Sequence, residues 1–261
     1  MTAIGHRSPR PSLARARATI ELVVRHQTLA RRSALLIAVV PVVLLVVFAD
    51  HAAYRHTVVG SGNIVALVTA HLAAYVGITA MTGAGIAVAE DRHRGWLRTL
   101  STVGVAPSRW YFLARALGAL VLGAAGLLVL DGIALWLGAQ LPLADWLCVD
   151  GVALLGGAVF AQGALAIGAI GSPTTASQLA SVAAFVLEFA GGVFVPLSTL
   201  PELVRQIGVD TPAAAIVSMA LTPFYGAKAI GHAVVVLGAW ELAFAIATFI
   251  GYHRARGERA G

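Results

Sequence analysis

"AEDRHRGWLRTLSTVGVAPSRWYFLAR", residues 89–115, is a dense polar island in a chain that is otherwise mostly apolar. It holds Arg92, Arg94, Arg98, Arg109 and Arg115 together with Glu90 and Asp91. On either side the charges stop: Lys, Arg, Asp and Glu are absent between Arg55 and Glu90 and again between Arg115 and Asp131. Such an island between two long oily runs reads as a connection between two membrane-spanning helices. That reading sets the fold class for the rest of the chain.

Composition supports it. Of 261 residues, 59% are hydrophobic and 11% charged, with a mean hydropathy of +0.85. A soluble domain carries about 25% charged residues, so this chain lacks the polar side chains to cover a water-facing surface. The net charge of +6 and pI near 10.2 could indicate nucleic acid. The basic residues, however, are arginines on short segments between apolar runs, with Lys228 the single lysine. Membrane topology explains that placement, and no nucleic-acid partner is expected. The lone cysteine, Cys148, excludes an internal disulfide framework and a cysteine-based metal cluster.

A bilayer core of about 30 Å takes roughly 20 apolar residues per helix. The first run is "SALLIAVVPVVLLVVFA", 33–49, with Pro41 inside it, where a kink is expected. Further spans fit at 62–89, 111–138, 149–170, 177–195 and 230–252, the fourth and fifth parted by "GSPTT" at 171–175. The expectation is an all-α integral membrane protein with six transmembrane helices. It divides into an N-terminal segment (1–32), a six-span transmembrane region (33–252) and a C-terminal tail (253–261). The N-terminal segment is too long and arginine-rich for a simple signal peptide. Within "SLARARATIELVVRHQTLARR", Leu13, Ala16, Ile20, Val23 and Val24 share one helical face, as in an interfacial amphipathic helix. A disordered basic tail is the alternative. With both termini and the 89–115 island on one side, that side carries 15 Lys/Arg and the other 3. Both termini are therefore expected in the cytoplasm.

Catalytic signatures are missing. Lys228 in "FYGAKAI" fits no Walker A loop, no H-E-x-x-H occurs, and "GSGN" at 60–63 only mimics the spacing of a nucleophile elbow. No catalytic, cofactor or metal residue is expected on this chain. Ionisable groups in hydrocarbon are functional candidates by default. Glu188 in "FVLEFAGG" and Glu241 beside Trp240 fall deep in their spans, each with a helix–helix hydrogen-bonding reading alongside a pathway reading. Asp131 falls near a span end, where solvent contact is expected, and His71 and Tyr75 share a helical face in the second span. Gly156, Gly157, Ala161, Ala164 and Gly168 run down the fourth span, the pattern that lets membrane helices approach closely.

Within the island, Trp96, Leu97 and Leu100 form an apolar edge flanked by Arg94 and Arg98, between Gly95 and the "GVAPS" stop at 104–108. Topology alone needs arginines; it does not need an apolar edge held off the bilayer by glycine and proline. The island resembles the cytoplasmic loop of type-2 ABC exporter permeases: an acidic pair (Glu90, Asp91), a basic residue and glycine (Arg92, Gly95), a leucine turn (Leu97, Leu100), then Pro107, Ser108 and Trp110 opening the third span. His93 and Arg94 depart from the family pattern, which often has another acid there. A second stretch, "FAGGVFVPLSTLPELVRQIGVDTPAAAI" at 189–216, resembles the segment between that family's fifth and sixth spans. Pro196 and Pro212 break its flanks, Pro201 suits a first helical turn, and Leu200, Leu203, Val204 and Ile207 share a face that Gly208 ends. This element is expected as a re-entrant or outer cap.

The resemblance implies the plasma-membrane permease subunit of an ABC exporter of hydrophobic or amphipathic compounds: a drug, an antibiotic or a lipid-like product. Glu90, Asp91, Arg92, Arg94, Gly95, Trp96, Leu97 and Leu100 would form the coupling helix. Its partner would be a P-loop ATPase subunit carrying the ATP and Mg²⁺, with a second permease subunit alongside. The rival classes are an intramembrane enzyme using Glu188, Glu241 or His71, and an ATP-independent scaffold or carrier.

Overall fold

The structure, a computed structural model, describes residues 31–49, 52–95, 109–169 and 173–257. The expected interfacial helix over 1–32 lies outside them, apart from Arg31 and Arg32, which open the first helix. Trp96, Leu97 and Leu100 lie outside the described residues as well, as do the last four residues of the tail.

The described chain is helical apart from one small hairpin and short connections. α1 (Arg31–Ala49) runs continuously through Pro41 and is followed by the short α2 (Ala52–His56). β1 (Val58–Val59) and β2 (Gly62–Asn63) pair antiparallel and lead into α3 (Ile64–His93). Then come α4 (Arg109–Trp136), α5 (Leu143–Gly156), α6 (Ala158–Gly168) and α7 (Pro173–Ala190). A 3₁₀ turn at Leu197–Thr199 precedes α8 (Glu202–Gly208), α9 (Pro212–Ala220) and α10 (Thr222–Tyr225); α11 (Ile230–Gly257) closes the fold.

Among the described residues four segments are helical, long and apolar enough to cross a membrane: Ile64–His93, Tyr111–Trp136, Leu143–Gly168 and Ala227–Gly251. The expected first and fifth spans are shorter apolar helices over the described residues, Ile37–Ala49 and Thr174–Ala190. Several boundaries differ from the sequence expectation. The fourth span opens at Leu143 rather than 149, because Pro142 starts the helix and Asp145 sits in its first turn. The fifth stops at Ala190 rather than 195, where Gly191 and Gly192 turn the chain, Gly192 at φ +80°. The 89–115 island is not a loop throughout: α3 carries on through Glu90, Asp91 and Arg92 before Gly95, at φ +73°, ends it.

α3 is the axis of the fold. It packs against α1, α4, α5, α6, α7 and α9, and it is buried nearly all round, as its all-round apolar sequence requires. Small residues make these approaches possible. At the α3–α5 crossing a Cβ on Gly77 would overlap the Ala153 carbonyl, and a Cβ on Gly157 would lie 2.6 Å from the Gly77 carbonyl oxygen. About two turns on, Gly85 meets Ala161 and Ala164, and Gly168 abuts the Ala89 methyl. The small-residue run of the fourth span thus has its partners within the same chain, on α3 for all but Gly156, which packs on Ile216 of α9.

Candidate functional site

Two polar clamps fasten the ends of α3. At its C-terminal end, Tyr111 and Arg115, one turn apart on α4, both donate to the same Asp91 carboxylate oxygen. Arg115 Nε also reaches the Tyr111 hydroxyl at 3.3 Å. Tyr111 is fully buried, and the Arg115 and Asp91 side chains keep only 10% and 17% of their surface exposed. Next to this clamp, His93 Nε2 lies 3.1 Å from the Gly168 carbonyl oxygen of α6. Glu90 pairs with Arg94 at 3.2 Å on the exposed side. Of the residues expected in a coupling helix, Asp91 therefore faces into the bundle while Glu90 and Arg94 face out.

At the other end, Asn63 is the hub. It caps α3, its Oδ1 accepting from Ala66 N at 3.0 Å and from Gln140 N at 3.1 Å. Its Nδ2 donates to the carbonyls of Arg55 at 3.0 Å and Gly138 at 2.8 Å. One side chain thus ties together α2, α3 and the turn after α4. Beside it, Ser61 Oγ donates to the Pro223 carbonyl at 2.7 Å, and Gly60, at φ +57°, packs directly on Phe224. The "GSGN" motif is this hairpin turn. It holds the start of α3 against α10.

Between the clamps the structure brings three of the intramembrane candidates together. His71 Nδ1 lies 3.0 Å from the Gly192 carbonyl oxygen, just past the end of α7. Tyr75, one turn on, stacks on Phe194 with ring centroids 5.6 Å apart, and Phe194 in turn meets Phe185 at 5.8 Å. Glu188 approaches from α7; it is 3% exposed, its Oε1 has no hydrogen-bond partner, and Thr79 lies beside both it and Tyr75. Glu188, on the α3–α7 seam, is the most buried carboxylate among the described residues.

Glu241 is elsewhere. It projects from α11 and lines a cleft against α5 and α9. Asp131, expected to meet solvent, instead lies against Asp150 of α5, and each keeps one buried carboxylate oxygen without a partner. The α4–α5 packing closes over that position, which sequence spacing alone does not register. In the 189–216 stretch, Pro196 precedes the 3₁₀ turn and Pro201 precedes α8. Leu203 and Ile207 of α8 are exposed, while Gly208 packs on the Ala190 carbonyl. Among the described residues no group of three or more His, Cys, Asp or Glu is placed to hold a metal ion.

No curated protein matches the chain. The family model described as ABC-2 type transporter matches residues 18–225, about four-fifths of the sequence. That stretch takes in both clamps of α3, the small-residue crossings, the Glu188 cluster and the 189–216 segment. A multi-pass helical membrane domain matched over this length belongs to the ABC-2 type transporter family.

Proposed function

We propose that the chain is one of two permease subunits of an ABC exporter and moves a hydrophobic or amphipathic compound outward. A separate P-loop ATPase drives it, holding the ATP and Mg²⁺. In this reading the Asp91 end of α3 is cytoplasmic, as are both termini, and six helices cross the plasma membrane. The segment 96–108 docks in the ATPase through Trp96, Leu97 and Leu100, and the 189–216 stretch caps the opposite mouth.

The observation that carries the reading is the Asp91–Tyr111–Arg115 clamp. It locks together the two helix ends between which the docking segment is strung. A loop that served only topology would need arginines and no such lock. With the lock, displacement of the segment by a closing ATPase moves α3 and α4 as one body, and the packed core carries the motion to the far end. Glu188, Tyr75 and His71 lie along that body and are the best-placed polar groups to meet a substrate.

Leu100→Asp tests the docking. The expected result is loss of a co-purifying Walker A-bearing chain with membrane insertion unchanged. Undiminished co-purification would overturn the assignment of the segment as a coupling helix. If the wild-type chain, shown to be folded, purified without any ATPase partner, the exporter reading itself would fall.

A further inference from the structure

The cleft beside Glu241 has no part in the reading above. It has a volume of about 610 Å³ and opens sideways between α5, α9 and α11. Its walls include Cys148, Gly151, Leu155, Met219, Gly238 and a single charged group, the Glu241 carboxylate. The size is that of a small-molecule site, which typically spans about 300–1,000 Å³ and pairs apolar walls with a few placed polar groups. Two glycines keep it open: a Cβ added at Gly151 or Gly238 would meet nothing within 4 Å.

Glu241 stands eleven residues beyond Ile230 on α11, about 16 Å along the helix at 1.5 Å per residue. Half of a bilayer core is about 15 Å, so the carboxylate sits near mid-depth, out of reach of lipid headgroups. A carboxylate facing hydrocarbon costs several kcal/mol unless something polar covers it. Among the described residues neither a cation nor a hydrogen-bond donor does so. A second copy of the chain is a poor cover. Within the spans its one arginine, Arg115, is already held by Asp91, and the other basic side chains stand at helix ends or in the connecting segments.

We infer that this cleft is a binding site for a lipophilic amine: an apolar body on the walls around Leu155 and Met219, and one ammonium on Glu241. An amine supplies what the site lacks, a positive charge and N–H donors at mid-depth, in a charge-assisted hydrogen bond. An uncharged amphiphile supplies only the hydrocarbon. The inference is independent of ATPase docking and is tested on the permease alone, so the two fail separately.

Cys148 provides the readout, being the only cysteine of the chain, exposed, and part of the cleft wall. The purified full chain in nanodiscs is treated with a maleimide, and the rate of Cys148 modification is followed against dodecylamine, dodecanol or dodecyl sulfate. Dodecylamine is expected to slow labelling saturably, by fivefold or more at saturation, and the other two to have little effect. Glu241→Gln should raise the half-maximal dodecylamine concentration by about tenfold, the equivalent of about 1.4 kcal/mol. Gly238→Leu should abolish the saturable protection while leaving thermal unfolding unchanged, since its side chain enters open space. Equal protection by dodecylamine and dodecanol, or an unchanged Glu241→Gln response, would reduce the cleft to a groove for lipid tails and overturn the proposal. A Cys148 that cross-links readily to a second copy would show the cleft covered and overturn it too.

Discussion

Replacing Asp91 with asparagine leaves the Arg115 guanidinium buried without its counter-charge, and it weakens the acceptor shared by Arg115 and the Tyr111 hydroxyl. Removing one partner of a buried ion pair costs about 3–5 kcal/mol, because the surviving charge stays desolvated. The small remaining exposure of the two side chains, 10% and 17%, places this pair nearer that limit than the 0–1 kcal/mol of exposed pairs. Asp91→Asn and Arg115→Met should each destabilise the folded chain by about 3 kcal/mol. The double variant Asp91→Asn with Arg115→Met should be less damaging than the two single losses added together, since it strands no charge. Reversible unfolding in mixed micelles, run as a double-mutant cycle, gives these values. Function separates stability from transmission. In a reconstituted complex the double variant restores much of the fold without restoring the lock, so ATP hydrolysis should continue while transport per ATP falls. A single-variant cost below about 1 kcal/mol would mean the pair is effectively exposed. Full transport coupling in the double variant would refute the role assigned to the lock.

Two further perturbations probe the frame around it. Gly77→Ala and Gly157→Ala place a methyl group against backbone at the α3–α5 crossing, and overpacking of this kind costs about 1–3 kcal/mol. Gly151→Ala on the same α5 meets open space and should change stability by no more than about 0.5 kcal/mol; equal effects at the three sites, measured by thermal unfolding, would contradict the crossing. Asn63→Ala removes a helix cap and strands the carbonyls of Arg55 and Gly138, for an expected loss of about 2 kcal/mol. Hydrogen exchange should then accelerate at the hairpin and the first turn of α3, and a loss confined to α11 would argue against the hub.

Four of the six expected spans were legible because hydrocarbon imposes a crude rule, about 20 apolar residues per crossing, which survives errors of several residues. The starts and stops were less so, although the signals were present. Pro142 followed by Asp145 marks the true start of α5, and Asn63 immediately before an apolar run is a plain cap signature. "GSGN" drew attention as a weak catalytic pattern, when its glycine and asparagine are turn and cap residues. The Asp91–Arg115 pair was hidden for another reason. Its partners are 24 positions apart, and both fall in a stretch whose charges read naturally as a solvent-facing island. The Asp131–Asp150 contact and the Glu241 cleft depend on how α5 leans on its neighbours. That is set by backbone-to-backbone crossings at single glycines, and no periodicity encodes it. His71, Tyr75 and Glu188 were each singled out by type and depth; that they share one seam became visible only when α3 and α7 were packed together.

The arrangement also restricts which parts of the protein can move during transport. α3 is capped at one end by Asn63, clamped at the other by Asp91, and interlocked with α5 and α6 at Gly77 and Gly85, where the backbones touch, and at Gly168, which meets the Ala89 methyl. Close-packed interfaces of this kind are bistable at best and do not slide gradually. α11 contrasts with them, since little of its span is buried within the chain. α7 presents Thr174, Gln178 and Ser181 on an exposed face that continues into Phe185 and Phe189. Exposed hydroxyl and amide groups along a span are unfavourable against lipid and favourable against water or a polar partner. In the proposed exporter this α7 face is the one offered to a transport pathway or a second subunit, with α3 as the fixed body beside it. Glu188 lies on the seam between the two, so its unpaired oxygen changes surroundings whenever that seam opens.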